Sequence, residues 1–423
     1  MRIGLVTLWF PPLVRGGSHL SAFYVAKGLA ERGHEVHVFT AAPPHDGSPR
    51  HGWDHPGVRR HAVFPIPKPT TVWGQDYASL LMGWYLWRYL TREHLRLDVL
   101  HAYGMDTIPA VVLGRRYGHP VATFNGYWAT CPFWDHTDPV THEAHARCGY
   151  RRIGDCVGRR DKGRSWVRRV VKWHVLFLSR MFRQYYARRL DLLLCVSQSM
   201  REILAANGFS HDRMRVCYNM VDVDAYKHLD PNYLHRRYSI PSSRRILLHA
   251  GRFAPYKGSG AILQAAPAIV ARHPDVHFVF AGQGSTLSKL KAQTAMLGLD
   301  DRVTFAGFVD PREMPNVYAS ARIVLHTATW PEPFARGPIE AMAAGVAVVA
   351  TATGGTPEAV FDEETGLLIP PFDPEAIATA CNRLLCDASL RNRVAEGGRA
   401  LVRRTYCIEA QIGAFEKAYA SIL

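Results

Sequence analysis

The chain has 423 residues, which is too long for one ordinary core and, at roughly 150 residues per domain, predicts two or three domains, of which we expect two. Apolar residues make up 48% and charged residues 21%, a balance that is typical of folded globular proteins and excludes a disordered chain. The formal net charge is +15, and eight cysteines scattered over so long a chain favour free thiols over a disulfide framework.

The N-terminus, "MRIGLVTLWF", predicts a β-strand. Pro11 and Pro12 end its apolar run and no small-residue cleavage site follows, so a signal peptide is disfavoured. No stretch reaches the roughly 18 consecutive apolar residues that a spanning helix needs. We therefore expect a cytoplasmic protein, peripheral at the inner face of the membrane.

The first half of the chain alternates strands and helices. The helical segment "HLSAFYVAKGLAERG" is followed by the strand "HEVHVFT", and three later apolar runs, "LDVLHAY", "PVATFN" and "DLLLCVS", each precede helix-forming sequence, as a parallel sheet requires. Gly16 and Gly17 come just before the first helix. A bare backbone there can approach a phosphate or sugar at the positive helix end, although such a pair is also common in plain turns.

A cysteine-containing segment follows the third of these strands. Cys131, Cys148 and Cys156 enclose three histidines and could form a zinc site or a redox-sensitive thiol cluster. Their spacing matches no compact C-x2-C pair. A metal-free loop on the acceptor side therefore stays open as the alternative.

Most of the positive charge lies between Arg151 and Leu190, where thirteen Arg or Lys face two Asp. The period of this segment predicts a basic amphipathic helix over about 164–189. Its apolar face comprises Val167, Val170, Val171, Phe177, Leu178, Met181 and Tyr185, and its basic face Arg168, Arg169, Lys172, Arg180 and Arg183.

Two interpretations of this helix stay open. In the first, the apolar stripe packs on the core and the arginines form a solvated face. In the second, the helix contacts an anionic membrane surface, where each basic residue adds roughly 1 kcal/mol. Nucleic acid is disfavoured as a partner because no nucleic-acid motif is present.

The alternation restarts in the second half of the chain. Strands such as "RRILLHAGR", "VHFVFAGQG" and "RIVLHTA" are separated by helices, which predicts a second doubly wound α/β domain. We expect an N-terminal Rossmann-like domain over 1–221, a linker over 222–243, a C-terminal Rossmann-like domain over 244–405, and a helix over 406–423 that returns towards the N-terminal domain. Ligands bind at the carboxyl ends of such strands, so a cleft between the domains is the expected site.

Two loops of the second domain concentrate the chemistry. In "GRFAPYKGSG", Arg252 and Lys257 stand beside a helix start and suit a diphosphate, for which they could replace a metal ion. In "EPFARGPIEAMAAG", the Gly337–Pro338 pair predicts a helix start. Glu340 would then lie in the first turn, where it can accept bonds from a ribose, and Glu332 would lie in the preceding loop, free to reach a sugar.

Six segments together resemble the family 4 glycosyltransferases of the GT-B fold: "GRFAPYKG", "FAGQG", "FAGFV", "EPFARGPIEAMAAG", "ATATGGTPEAV" and "TGLLIPP". The resemblance covers nearly the whole chain, although the N-terminal half matches less well. It implies two Rossmann-like domains facing a cleft and a retaining transfer from a nucleotide-diphosphate sugar.

The resemblance also implies roles for individual residues. Arg252 and Lys257 would hold the diphosphate, Glu340 the ribose, and Glu332 the transferred sugar near its reacting carbon. The remaining donor-site residues would be Gly16, Gly17, Gly251, Gly282, Gly284, Phe308, Val309, Phe334, Ala335, Arg336 and Gly337.

Two positions depart from the family pattern. Ala335 replaces a frequent glycine, and Asn125 stands where many members have a histidine that contacts the donor sugar. An amide bonds a hydroxyl but does not titrate near neutral pH, so we assign no histidine base and expect His101 to be structural.

The expected donor is a UDP-sugar rather than a GDP-sugar, with no cofactor required, and the expected acceptor is a hydroxyl of a glycan or lipid-linked molecule in cell-envelope synthesis. Two other functions stay open. A sugar-nucleotide epimerase or hydrolase of the same fold would turn over without an acceptor. A non-catalytic nucleotide-binding protein of the membrane surface would turn over nothing.

Overall fold

The computed structural model describes residues 1–11, 17–41, 55–65, 72–141 and 143–423. Internal contacts divide the chain into two compact units. Unit 1 comprises Met1–Asn219 and Ile408–Leu423, and unit 2 comprises Met220–Cys407. Each unit is built on one parallel sheet with helical crossovers.

Unit 1 contains a seven-stranded sheet of order β3-β2-β1-β4-β5-β6-β7. Its strands are β1 (Arg2–Val6), β2 (Glu35–Ala41), β3 (Val58–Phe64), β4 (Val99–Ala102), β5 (His119–Phe124), β6 (Leu192–Cys195) and β7 (Met214–Val216). Its helices are α1 (Gly17–Glu31), α2 (Val72–Arg92), α3 (Ile108–Leu113), α4 (Tyr150–Arg160), α5 (Trp166–Ala187), α6 (Gln198–Ala206) and, at the end of the chain, α14 (Ile408–Ala420). The central strands are buried on both faces, as expected for a covered parallel sheet.

Unit 2 contains a six-stranded sheet of order β10-β9-β8-β11-β12-β13. Its strands are β8 (Arg245–Ala250), β9 (Val276–Ala281), β10 (Val303–Gly307), β11 (Ile323–His326), β12 (Ala347–Thr351) and β13 (Leu367–Ile369). Its helices are α7 (Tyr233–Arg237), α8 (Ser259–Arg272), α9 (Leu287–Met296), α10 (Met314–Ala319), α11 (Arg336–Ala343), α12 (Pro374–Cys386) and α13 (Ala388–Leu401). One apolar core joins α8, α9, α12 and α13 to the sheet.

The segment 222–243, predicted as a linker, has structure of its own. It contains α7, whose Leu234 is fully buried, and Tyr238 donates a hydrogen bond to the carbonyl of Ala306 over 3.0 Å. The segment therefore packs within unit 2. Helix α14 packs within unit 1, where the Tyr419 hydroxyl lies 2.7 Å from Nδ1 of His101.

Helix α5 corrects our assignment of its faces. Six of the seven residues of the predicted apolar stripe are exposed, with exposed fractions of 57% for Val171, 51% for Leu178 and 48% for Met181. The seventh, Phe177, packs on the Tyr150 ring at 4.9 Å between centroids. Arg180 and Arg183, which we placed on an outward basic face, are buried instead. The stripe therefore does not pack on the core.

This orientation of α5 follows from the hydrogen bonds that three polar side chains make on its inner side. The Arg183 guanidinium donates to Asp76 on α2 over 2.9 Å, and Ser179 donates to the second oxygen of the same carboxylate. Arg180 donates to the Thr130 carbonyl over 3.0 Å. Buried charges need such partners, and these partners fix which side of the helix faces inward. Among the described helices, none is long and apolar enough to cross a bilayer.

Candidate active site

The loops after β8, β11 and β12 meet at the carboxyl edge of the unit 2 sheet, because these three strands are neighbours. Two glycines permit their close approach. A Cβ on Gly258, whose φ is +73°, would lie 1.8 Å from the Thr327 carbonyl oxygen, and one on Gly354, whose φ is +53°, would lie 2.2 Å from the Glu332 carbonyl oxygen. Side chains are excluded at both positions, so the backbone brings the three loops together.

Glu332 lies at the centre of this edge between two basic side chains. The Lys257 ammonium is 2.6 Å from Glu332 Oε1, and His326 Nε2 is 3.2 Å from Glu332 Oε2. The side-chain exposure is 12% for Glu332 and 19% for Lys257. Oε2 and the histidine nitrogen are close but not aligned for a hydrogen bond, and neither has another partner among the described residues.

The surroundings hold Glu332 as a carboxylate. Burial alone would raise its pKa, but the attraction of Lys257, followed by that of His326, outweighs burial and holds the pKa of Glu332 well below its usual range. The second oxygen of this ionised group lacks a hydrogen bond and is buried against His326.

Glu340 belongs to a second ion pair a short distance along α11. Arg336 donates to Glu340 Oε1 over 2.8 Å, and Tyr318 donates to Oε2 over 3.0 Å. The helix begins at Arg336, one residue before the predicted Gly337–Pro338 start, so Glu340 is its fifth residue and lies past the first turn rather than in it. The carboxylate is held at a fixed position.

The glycine-containing loops after β8 and β9 lie against each other. Gly251 donates to the Ala281 carbonyl, and the backbone at Gly282 and Gly284 is too close to the β8 loop to admit a Cβ. Arg252 is exposed beside them. Packing thus explains the two glycines of the β9 loop, and their contact with a nucleotide base stays a prediction.

The loop after the edge strand β10 carries Phe308 and Val309. Phe308 is 65% exposed, so its ring is available to stack on a planar ligand. Phe334 and Ala335, by contrast, are buried, and the Phe334 ring packs on Tyr406 at 5.4 Å between centroids. The Phe334 side chain is therefore not exposed to a ligand.

The predicted donor residues of the N-terminal half belong to unit 1. Gly17 opens α1 and Asn125 follows β5, so both stand at carboxyl ends of the unit 1 sheet. Gly16 lies outside the described residues. Whether these residues contact a donor is a prediction. His101 is buried between Tyr419 and Thr123, which agrees with the structural role we expected, and burial lowers its pKa to about 3.

The three cysteines of the 131–156 segment are free and buried. The thiols of Cys131 and Cys148 contact each other. In the described part of the chain, no group of three or more His, Cys, Asp or Glu side chains is arranged to hold a metal ion.

Two site residues were missed in the sequence. His326 is the last residue of β11, and the rule that ligands bind at strand ends applied to it as much as to Lys257. Tyr318 lies in α10, outside the segments that carry the family resemblance, and only the fold brings its hydroxyl to Glu340. Sequence spacing also did not show that Lys257 and Glu332, 75 residues apart, form an ion pair.

Two family models match consecutive parts of this chain. Residues 15–225 match the model described as Glycosyltransferase Family 4, and residues 232–401 match the model described as Glycosyl transferases group 1. The chain is 25% identical over 420 residues to an uncharacterized glycosyltransferase of Methanocaldococcus jannaschii, covering 96% of this chain and 94% of that protein. It is 27% identical over 433 residues to the D-inositol 3-phosphate glycosyltransferase of Acidothermus cellulolyticus, covering 96% and 86%.

Among solved structures, Anabaena HepE in complex with UDP-glucose matches with a TM-score of 0.70 and 20% identity, over 100% of both chains. The two parallel Rossmann-like sheets thus have the α/β architecture of the GT-B fold. The chain belongs to the family 4 glycosyltransferases, which confirms the predicted resemblance.

Proposed function

We propose that the protein is a retaining glycosyltransferase that transfers a hexose from a UDP-sugar to a hydroxyl of a glycan or lipid-linked acceptor. The observation that carries this proposal is the ion pair of Lys257 and Glu332, in which one carboxylate oxygen has no hydrogen bond, together with the exposed Arg252 in the same loop as Lys257. A carboxylate whose buried second oxygen lacks a hydrogen bond suits a sugar hydroxyl that reaches it in place of His326, and two cations suit a diphosphate.

Lys257 links the two halves of the proposed donor. Without a donor its ammonium compensates Glu332, because a buried carboxylate is costly without a partner. An ammonium has three donors, so it can bond a diphosphate oxygen while it stays near Glu332. When the donor binds, the ion pair between Lys257 and Glu332 therefore weakens, and a sugar hydroxyl of the donor can take its place as a hydrogen-bond partner of Glu332.

The donor class rests on relatives and on the site together. HepE of Anabaena has been crystallised with UDP-glucose. Here, Phe308 offers an exposed ring for a base and Glu340 a fixed carboxylate for the two hydroxyls of a ribose. We therefore favour a UDP-sugar, with Arg252 and Lys257 compensating its diphosphate.

In the proposed reaction, the bond between the anomeric carbon and the diphosphate oxygen breaks, and its electron pair leaves with UDP. Arg252 and Lys257 stabilise the charge that develops there. The acceptor hydroxyl attacks from the face that the diphosphate leaves, so configuration is retained, and its proton passes to the departing phosphate oxygen. Glu332 orients the sugar and stabilises positive charge near the anomeric carbon.

We place this reaction at the inner face of a membrane, in the synthesis of envelope polysaccharide or glycolipid. The support is the basic segment of unit 1, whose positive charge is complementary to an anionic surface. An acceptor carried by a lipid would then be held beside the enzyme.

The test is a thermal-shift and calorimetric screen against UDP, GDP, ADP and their sugar conjugates, with and without EDTA. A ligand that binds the folded state raises the melting temperature, so the screen ranks donors before an acceptor is known. We expect stabilisation by UDP and by one UDP-sugar, unchanged by EDTA. The product of that donor should carry the anomeric configuration of the donor, which NMR coupling constants report.

Three results would contradict the proposal. No stabilisation by any nucleotide would mean that the carboxyl edge of unit 2 is not a donor site. Complete turnover of the bound sugar nucleotide without any acceptor would favour an epimerase or hydrolase. Binding without turnover over a broad acceptor panel would favour a non-catalytic protein.

A further inference from the structure

The exposed side of α5 is an apolar stripe on a strongly basic segment. Val167, Val170 and Val171 continue into Leu178, Met181 and Tyr185, and all six are between 37% and 57% exposed. They span 19 residues, which is roughly 28 Å of helix. Soluble proteins rarely leave so long an apolar stripe without a partner, so it indicates an interaction surface.

The charges around this stripe have one sign. Between residues 162 and 190 the chain contains no Asp or Glu. Arg168 and Lys172 flank the stripe, and the Lys172 ammonium bonds Asp161 just before the helix. A partner with negative charge beside an apolar interior is therefore complementary to this face.

A basic hollow of about 590 Å³ lies at the C-terminal end of the same helix, within unit 1. It is lined chiefly by Arg115, His119, Arg188, Arg189, Asp191 and Arg213. Four guanidinium groups face a single carboxylate, which Arg115 and His119 already bond over 3.2 and 2.8 Å. In the part of the chain that the structure describes, none of the other three arginines forms an ion pair, so the hollow suits a phosphate-bearing anion.

The hollow and the stripe form one surface. The Arg189 guanidinium stacks on the Tyr185 ring at 3.3 Å from its centroid, and Arg189 also donates to the Tyr185 carbonyl. Helix α2, which α5 contacts through Asp76, also carries exposed aromatic side chains at Tyr77 and Trp84. Tyrosine and tryptophan favour the boundary between lipid chains and headgroups.

We propose that the α5 stripe inserts into the headgroup layer of an anionic phospholipid membrane and that the basic hollow binds a lipid phosphate. This inference deepens the membrane location in the proposed function. A membrane fits better than a second copy of this chain, because a copy would bring the same uncompensated arginines together and repel. A membrane also fits better than a charged partner without an apolar interior, because such a partner would leave the apolar side chains of the stripe exposed to water.

The test is cosedimentation of the full chain with vesicles of phosphatidylcholine, or of an equimolar mixture of phosphatidylcholine and phosphatidylglycerol. We expect binding to the mixture alone. Leu178→Ser with Met181→Ser keeps the charge and should weaken binding at least about tenfold. Arg189→Ala with Arg213→Ala should weaken it about 25-fold, since each basic residue contributes a factor of about five, and should reduce its salt dependence.

The matched control is Lys289→Ala with Lys291→Ala, which removes the same charge from exposed positions of α9 in unit 2 and should leave binding within about twofold. Thermal unfolding checks that each variant folds. If the Leu178 and Met181 variant binds vesicles as well as the original chain does, the insertion is overturned. The insertion is also overturned if light scattering without lipid shows that the original chain is a dimer and the variant a monomer.

Failure of this inference is distinguishable from failure of the proposed function. The stabilisation by UDP is measured without lipid and involves only the unit 2 site. Loss of vesicle binding with intact UDP stabilisation would reject the docking surface alone. Vesicle binding without any nucleotide stabilisation would reject the transferase and keep the surface.

Discussion

Two ion pairs in this protein, a buried one in unit 1 and a partly buried one in unit 2, are built differently. In unit 1, Asp76 has both carboxylate oxygens bonded, one by Arg183 and one by Ser179, and the arginine also stacks on Trp128 at 5.3 Å. In unit 2, Glu332 has one oxygen bonded by Lys257, while the other has only a misaligned histidine nitrogen nearby.

This difference indicates that the pair in unit 1 has a structural role and that the pair in unit 2 is available for function. The Asp76 carboxylate is buried between fixed partners and out of reach of a ligand, so the pair in unit 1 fixes the position of α5 against α2. A half-bonded carboxylate is tolerated where a ligand completes it, and proteins place such groups at functional positions. The choice of cation agrees with this contrast. Arginine suits a permanent planar pair, and lysine suits a pair that must be shared with a substrate.

The largest effect is expected from Arg252→Ala with Lys257→Ala. Removing one stabilising donor from a developing anion typically costs about a hundredfold to a thousandfold in kcat, so the pair should lose at least about 10⁴-fold. Initial rates with the donor identified by the binding screen measure this loss.

The control for this double variant is Arg403→Ala with Arg404→Ala, which removes two exposed cations from the same unit. It should keep its activity within about twofold, because surface changes away from special sites have small effects. Comparable losses in both variants would mean that general charge, not the β8 loop, supports turnover.

Arg183→Ala should lower the stability of the protein and leave the predicted donor site in unit 2 unchanged. Removal of one partner from a buried pair costs about 3–5 kcal/mol, because the remaining carboxylate is buried without compensation. We expect this loss in urea unfolding, with UDP affinity of the folded protein unchanged. Arg168→Ala, at an exposed position of the same helix, should cost less than about 0.5 kcal/mol.

A second variant sharpens this result. Arg183→Met with Asp76→Leu removes both charges and should recover most of the lost stability. A double variant as unstable as the single one would show that Arg183 acts through its packing on Trp128 rather than through its charge.

Much of the fold could be predicted because it depends on local patterns. Short apolar runs followed by helical periods define strands such as β8 and β11, and the carboxyl ends of parallel strands meet at one edge. That reasoning was enough to place Arg252, Lys257 and Glu332 in loops of the same sheet edge.

The orientation of α5 could not be predicted, because periodicity separates two faces without saying which is inside. The inward face was decided by Asp76, about a hundred residues earlier in the chain, and by the Thr130 carbonyl. The Lys257–Glu332 pair was hidden for the same reason. Long-range polar partners are set by the assembled fold, and a single sequence does not show them.

Glu340→Ala tests a carboxylate that lies between these two cases. Both Glu340 oxygens accept hydrogen bonds, as those of Asp76 do, but Glu340 belongs to the same predicted donor site as Glu332. If it holds the ribose, its loss should weaken UDP binding about 10–100-fold, the usual range for hydrogen bonds to a charged group. Calorimetry measures this.

Tyr318→Phe is the matched control, since it removes one partner of Glu340 and keeps the carboxylate. It should change UDP affinity no more than about threefold. Equal losses in both variants would assign Glu340 to the scaffold, as a residue that only positions Arg336.

The smallest effect is expected in the pH dependence of stability in Glu332→Gln. The pKa of Glu332 in the folded chain is lowered, chiefly by Lys257 against the opposing effect of burial, so its stabilisation is complete above the unfolded pKa of about 4.3 and is lost as the pH falls below it. In that acid window the unfolded chain binds a proton that the folded chain does not. The free energy of unfolding should therefore fall more steeply with decreasing pH in the original chain than in the variant, by at most about 1.4 kcal/mol per pH unit.

Urea unfolding between about pH 5 and pH 3 measures both slopes, with Glu363→Gln as the control. Glu363 also has a lowered pKa, owing to Arg383, but the pair is exposed and screened, so its slope should stay close to the original. Parallel slopes for the original chain and Glu332→Gln would show that the folded state does not hold this carboxylate charged. A steeper slope in the original chain would mean that Glu332 stays ionised throughout the neutral range, so any change in the transfer rate near neutral pH must come from a different group.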